Sequence, residues 1–295
     1  MLTGVYAPIF NDYSDPERLI ELAIAAEQAG YDGFYIWDHL AIDPSGALEL
    51  ADATVVLAAI AQATSTLKLG PMITPLARRR PWKVAKELAT LDKLSHGRVV
   101  FGVGLGEPAE VEFGAFAEDA SAKGRAERLD EGLDLVSRFM RGERVDHHGK
   151  HYNVDNVALR PQSLQQPRPQ FWVAASLPAR AGLRRAARWD GCFPIKVPDE
   201  IRGGTVTMTS WDKWWLSPEG IAEAASIVSE QRGDLDNYAM VATGSTLDDN
   251  AQSSAKKLAS YAAAGANWWL EWVDEKPGTF DRTLELIKRG APAPS

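Results

Sequence analysis

The 295 residues carry a formal net charge of −8 and 45% hydrophobic content, enough chain for two average domains or for one α/β barrel of about 250 residues. An acidic chain whose local basic run is Arg78-Arg79-Arg80 argues against a nucleic-acid partner, because binders of a phosphate backbone carry clustered positive charge. A single cysteine, Cys192, excludes an intramolecular disulfide and a multi-cysteine zinc site, and together with an opening Met-Leu-Thr-Gly-Val-Tyr-Ala-Pro that resembles neither a signal peptide nor a membrane span, it predicts a cytoplasmic protein with no membrane partner.

Along the chain, short apolar runs rich in β-branched and aromatic residues alternate with longer segments of helical period. Residues 4–8 read as a strand and 15–30 as a helix, with Leu19, Leu22, Ala23 and Ala26 on one face and Gly30 as its C-cap. A strand at 33–37, a helix at 47–64, a strand at 67–74 and a helix at 82–95 follow, the last opening after Pro81, where a missing N–H is harmless. A strand at 99–103 leads into the turn Gly102-Val-Gly-Leu-Gly106, and a helix covers 122–140. From 142 to 170 the pattern lapses into polar and aromatic pieces with prolines at 161, 167 and 169, which reads as an insertion containing a hairpin.

The alternation resumes with strands at 171–174, 191–195, 238–243 and 266–272 and helices at 180–188, 217–231, 248–263 and 279–289. Eight βα units without a Ser- or Gly-rich linker predict a single closed (β/α)8 TIM barrel over residues 1–295, with the insertion after the fourth βα unit. The stretch 196–216 is long for a βα loop and holds Gly203-Gly204, Trp211, Trp214 and Trp215; a lid and a loop without function are both open readings. With Trp268, Trp269 and Trp272 these tryptophans form a cluster of the kind that lines an apolar pocket or fills an ordinary core.

In such a barrel the chemistry sits at the C-terminal strand ends. Asp38-His39 follow the second strand and Glu107 follows the glycine-rich turn, so an imidazole and two carboxylates meet at one mouth as a candidate acid/base set. Each also has a bland reading: His39 bonding a loop carbonyl, and Asp38 and Glu107 as carboxylates near helix N-termini. His147, His148 and His151 fall in the insertion, away from any strand end, so they are expected to face solvent and no metal site is expected. The glycine-rich turn lacks the third glycine of a dinucleotide fingerprint at the right spacing, and is either a tight βα turn or a close approach to a flat ring or phosphate.

Thr74-Pro-Leu-Ala-Arg-Arg-Arg-Pro81, Lys86-Glu-Leu-Ala-Thr-Leu-Asp-Lys-Leu-Ser-His-Gly-Arg98 and Gly102-Val-Gly-Leu-Gly-Glu107 resemble the luciferase-like monooxygenase superfamily, as do Ala26-Glu-Gln-Ala-Gly-Tyr-Asp-Gly33, Trp37-Asp-His39, the stretch 142–152 and Pro169-Gln-Phe-Trp-Val-Ala174. The likeness runs to about Lys196 and is looser beyond. It implies an eight-stranded barrel holding either deazaflavin coenzyme F-420 or reduced FMN at the strand ends, with the deazaflavin branch favoured because Asp38, His39 and Glu107 match its catalytic places.

The resemblance further implies cofactor contacts at Ala7, His39, Ile73, Thr74, Leu105, Gly106 and Glu107. It implies a bulge at Met72-Ile73-Thr74, often with a non-prolyl cis bond, and a tail site at the backbone of Ala174-Ala175-Ser176, where glycines are more usual. Arg80 stands where the family more often has His, and is expected to face water. On the deazaflavin reading hydride passes between cofactor and a small-molecule substrate while His39 or Glu107 handles the proton. The alternatives are an FMN-dependent monooxygenase needing oxygen, a dry pocket and a partner flavin reductase, and a flavin-binding protein without catalysis. A homodimer is implied too, with the apolar helix 55–63 as a possible contact, although burial within the monomer explains that helix equally well.

Overall fold

The computed structural model describes residues 1–43, 45–196 and 214–292. Eleven strands alternate with nine helices among the described residues. In chain order these are β1 (Leu2–Ala7), α1 (Pro16–Gln28), β2 (Gly33–Ile36), α2 (Ala53–Ala63), β3 (Lys68–Pro71), β4 (Thr74–Pro75), α3 (Pro81–Leu94), β5 (Val100–Gly104), the short α4 (Ala109–Glu112) and α5 (Ala122–Met140). After them come β6 (Arg144–His148), β7 (Asn153–Ala158), β8 (Gln170–Leu177), α6 (Arg180–Ala186), β9 (Gly191–Lys196), α7 (Pro218–Arg232), β10 (Ala239–Gly244), α8 (Ala251–Ala263), β11 (Trp268–Trp272) and α9 (Phe280–Lys288).

All the barrel strands pair in parallel, in the order β3-β2-β1-β11-β10-β9-β8-β5-β4. A parallel bridge between Leu69 and Val99 joins the two ends of that order. Counting β3 and β4 as one interrupted strand, this is the expected (β/α)8 barrel. Closure there depends on glycine: a Cβ on Gly70 would lie 1.8 Å from the Val100 carbonyl oxygen, so β3 and β5 approach as closely as they do only without one. The interruption falls at the Met72–Ile73 peptide, a non-prolyl cis bond, at the place the resemblance implied.

Helix starts follow ordinary capping chemistry. Asp15, Asp52, Ser121 and Asn250 each accept a backbone N–H from the first turn of α1, α2, α5 and α8. Capping also corrects one expectation: α2 begins at Ala53 and not at 47, because the chain before it is extended, with Leu50 bridged to Phe10, until Asp52 caps the helix through Val55 N.

The barrel interior is aromatic at two levels. Tyr35, Trp172 and Trp268, from β2, β8 and β11, meet across the lower interior with ring centroids 5.0–6.0 Å apart. Above them, Tyr6 of β1 touches Trp37, Trp272 and Phe193 at 5.2–5.7 Å. Such rings bury a large apolar area each.

The insertion after the fourth βα unit is the antiparallel hairpin β6–β7. Its histidines depart from expectation. His147 and His151 are not turned to solvent but pair with Glu131 and Glu127 of α5, at 2.9 and 3.3 Å, because those carboxylates dock the hairpin on the helix; His148 is the exposed one. Of the long segment at 196–216, residues 197–213, with Trp211 and the question of a lid, lie outside the described residues.

Candidate active site

The C-terminal strand ends form a mouth with two unlike halves. On the β11-β1-β2 side stand Trp272, Tyr6 and Trp37, with Phe10 5.4 Å from Trp37 and Trp215 6.1 Å from Trp272. On the β4-β5-β8 side the residues are small or short: Ile73, Gly104 and Ala174. A Cβ on Gly104 would lie 2.9 Å from Ile73 Cγ2 and 3.1 Å from Ala174 Cβ, so glycine there keeps a low floor between the two side chains. His39 lies beside the aromatic half, its ring 5.8 Å from Trp37.

The residues from 38 to 40 are held individually. Asp38 is 3% exposed, and its carboxylate accepts from Thr74 Oγ1 at 2.8 Å, Arg78 Nη2 at 3.1 Å and Arg79 Nη2 at 2.6 Å. His39 Nδ1 lies 2.9 Å from Glu112 Oε1. The same oxygen accepts the Leu40 N–H at 3.0 Å, and Glu112 Oε2 lies 2.7 Å from Arg78 Nε. The basic run Arg78-Arg79 thus serves buried carboxylates, whereas Arg80 is exposed and stacks its guanidinium 5.9 Å from the Trp82 ring.

Glu107 follows β5. Its side chain is 40% exposed, pairs with Arg125 at 3.2 Å and accepts the Ala109 N–H at 3.1 Å. Leu105 and Gly106 beside it are half-buried, with Gly106 at φ +84°. Ala7 is fully buried at the end of β1, where its carbonyl accepts the Trp37 N–H at 3.0 Å.

Ala174, Ala175 and Ser176 are strand residues rather than helix-end ones, since α6 starts only at Arg180. They pair with Phe193, Pro194 and Ile195 of β9, while pairing with β5 stops at Val103–Val173. Beyond Val173 the β5 edge of β8 therefore offers backbone groups that no ladder uses. After β11, Glu275 accepts from Trp272 Nε1 at 3.2 Å, and burial raises its carboxyl above the ordinary value.

The structure places Asp38, His39, Glu107, Ile73, Thr74 and Ala174 at one barrel end, and beside them Glu112, Arg78, Arg79 and Arg125, which sequence reasoning did not name as site candidates. The signal for Glu112 was a carboxylate set directly before Phe113 in a short helix, where both prove buried. Its partners are 34 and 73 residues away, beyond any local pattern.

A flat ring needs a floor without projecting side chains, an apolar wall and a side chain able to handle protons; the Ile73-Gly104-Ala174 floor, the aromatic half and His39 supply these. No described helix is long and apolar enough to cross a membrane.

Residues 1–205 match the family model for luciferase-like monooxygenases. The F-420-dependent glucose-6-phosphate dehydrogenase of Nakamurella multipartita is 34% identical over 171 residues, covering 57% of this chain and 49% of that protein. The F-420-dependent hydroxymycolic acid dehydrogenase of Mycobacterium tuberculosis is 32% identical over 188 residues, covering 61% and 49%. The chain spans about half the length of these curated relatives.

Among solved structures, an F-420-dependent secondary alcohol dehydrogenase superposes with a TM-score of 0.79 at 17% identity, covering 99% of this chain and 98% of that one. An FMN-bound Baeyer-Villiger monooxygenase component from Pseudomonas putida superposes at 0.70 and 16%, covering 99% and 98%. At such identity these two likenesses speak to the fold alone. The family match over residues 1–205, more than half of the chain, carries the assignment: this chain belongs to the luciferase-like monooxygenase family.

Proposed function

We propose that the chain is an oxidoreductase that holds deazaflavin coenzyme F-420 at the barrel mouth and exchanges hydride with a small organic substrate. The observation that carries this reading is the low Ile73-Gly104-Ala174 floor at the same barrel end as an imidazole whose Nδ1 is committed to a buried carboxylate. When bound, the deazaflavin supplies the hydride-accepting carbon. Ile73, Leu105, Gly106 and Ala174 make the surface that receives the ring, with Ala7 closing it beneath. The free edge of β8 at Ala174-Ala175-Ser176 offers backbone donors to the phosphate-bearing tail.

His39 faces the reacting atoms as the proton-handling group, and Glu107 is a second candidate for that role from the β5 side. Asp38 serves as an anchor for the strand end, since Thr74, Arg78 and Arg79 occupy its carboxylate. Tyr6, Trp37, Trp215 and Trp272 wall the substrate side. The names of the sequence relatives support F-420 over FMN; the fold alone suits both. The same reading includes a cytoplasmic homodimer, with contact through α2, where Val55 is 70% exposed.

Titrating the purified protein separately with F-420 and with oxidised and reduced FMN, by fluorescence or calorimetry, tests the proposal. Saturable F-420 binding with FMN at least about tenfold weaker is expected. Preference for reduced FMN would replace it with an oxygen-dependent monooxygenase served by a flavin reductase, and binding of neither cofactor would overturn both.

A further inference from the structure

We propose that Glu112 is the positioning residue for His39, fixing the imidazole with Nδ1 protonated so that Nε2 is the nitrogen presented for proton exchange. This rests on the reading above that His39 handles the reaction's proton.

The geometry is that of a carboxylate built to hold one ring in one state. Glu112 is fully buried, in contrast to Glu107 at 40% exposure. A buried carboxylate is tolerated when a cation and hydrogen bonds compensate it: Arg78 Nε forms an ion pair with Oε2 at 2.7 Å, although without hydrogen-bond geometry, and Oε1 accepts the Leu40 N–H at 3.0 Å. Ionised beside Arg78, Glu112 is an acceptor only, so the 2.9 Å contact requires the hydrogen on His39 Nδ1. A neutral imidazole then carries its lone pair on Nε2.

Arg78 extends the clamp along the chain. Besides Glu112 it binds Asp38 at 3.1 Å, and Asp38 is further held by Thr74 and by Arg79, which in turn lies 4.0 Å from Glu87. Asp38 by its side chain, His39 by its ring and Leu40 by its backbone are thereby tied to one buried charge network. In the direction of substrate oxidation the substrate C–H would give its hydride to the bound deazaflavin while the hydroxyl O–H breaks, the proton bonds to Nε2, and the positive charge gained by the ring faces Glu112. The proton then leaves Nε2 for water, and the ring returns to the same tautomer because Nδ1 never released its hydrogen.

The first test needs neither cofactor nor variant. Nitrogen-15 NMR of the five histidines, with the His39 signals identified by their absence in His39→Ala, reads the tautomer directly. Nδ1–H with Nε2 unprotonated in the neutral ring is expected; the opposite tautomer would overturn the proposal.

Glu112→Gln then removes the charge while keeping the shape, and its side-chain amide can also offer N–H to Nδ1 and so release the tautomer. A fall in kcat of about 10²-fold or more, with cofactor affinity and KM within about twofold, and a pH–rate profile displaced toward acid are expected. Unchanged kcat and an unchanged profile in a folded Glu112→Gln, while His39→Ala abolishes turnover, would overturn the role of Glu112 and leave the functional reading intact. Undiminished turnover in His39→Ala would overturn both.

Discussion

Arg98 grips the C-terminal end of α2 through Thr64, donating from Nη1 to the hydroxyl at 3.0 Å and from Nη2 to the carbonyl at 2.9 Å. It also donates to the carbonyls of Ala61, Leu67 and Ser95 at 2.7–2.8 Å, all from a site 8% exposed. One planar fork thus satisfies helix-end carbonyls and ties α2, α3 and the start of β5 together. Lysine cannot reproduce five donors in fixed directions. Arg98→Lys and Arg98→Met should each destabilise the fold by about 3 kcal/mol or more. Denaturant unfolding measures this, and a loss below about 1 kcal/mol would show that water replaces the fork.

Asp38 invites a similar argument with a different sign of charge. Asp38→Asn leaves Arg78 and Arg79, which are 8% and 18% exposed, without their shared partner. Breaking a buried ion pair from one side costs about 3–5 kcal/mol, and the lower end applies here because Arg78 keeps Glu112 and Arg79 keeps Glu87. Turnover should fall with the loss of order at His39, and the thermal midpoint should fall with it. A variant that loses turnover at unchanged midpoint would instead return Asp38 to the chemistry.

The alternation of strand and helix was legible because a parallel barrel repeats one unit, and each unit carries its own apolar run and caps. The mouth residues were legible because fold geometry puts strand ends in one place, so Asp38, His39 and Glu107 needed no contact information. Glu112 was not legible: the groups it contacts, Arg78 and His39, are far from it in the chain and meet it only in the folded structure. Arg78 and Arg79 were not singled out for the same reason, since a basic run looks alike whether it faces water or two buried carboxylates. His147 and His151 were placed in solvent because their partners, Glu131 and Glu127, belong to a helix earlier in the chain. The break of α2 at Asp52 was overlooked because the apolar residues before it are extended against Phe10, a long-range pairing.

The hairpin should detach in acid. Burial acts to raise the Glu131 carboxyl, but hydrogen bonds from His147 and from the backbone N–H groups of Tyr152 and His151 outweigh it and hold it below the ordinary 4.5. A carboxyl depressed in the fold stabilises it above its unfolded value, and that stabilisation is lost as pH falls through the folded value. Protection of the His151 and Tyr152 amides, taken relative to their intrinsic exchange at each pH, should therefore hold down to about pH 4.5 and fall below it. Glu131→Gln should flatten this dependence. Undiminished protection relative to intrinsic exchange down to about pH 2 in the wild type would remove Glu131 as the docking group.

Gly104 offers a direct test of where the ring lies. The methyl of Gly104→Ala falls 2.9 Å from Ile73 Cγ2 and 3.1 Å from Ala174 Cβ, so Ile73 must shift and the floor must rise. Overpacking of this kind costs about 1–3 kcal/mol of stability, and the half-buried Ile73 can yield toward the mouth, which favours the lower end. Cofactor binding should suffer more, with F-420 affinity falling about tenfold, or about 1.4 kcal/mol, because the displaced methyls occupy the surface the ring requires. Gly30→Ala controls for the general cost of a glycine replacement. It lies at φ +84° with open space around its Cβ, so it should strain the backbone while leaving affinity unchanged. If Gly104→Ala binds F-420 as tightly as the wild type, the ring does not lie over Ile73, Gly104 and Ala174, and the aromatic half of the mouth must receive it instead.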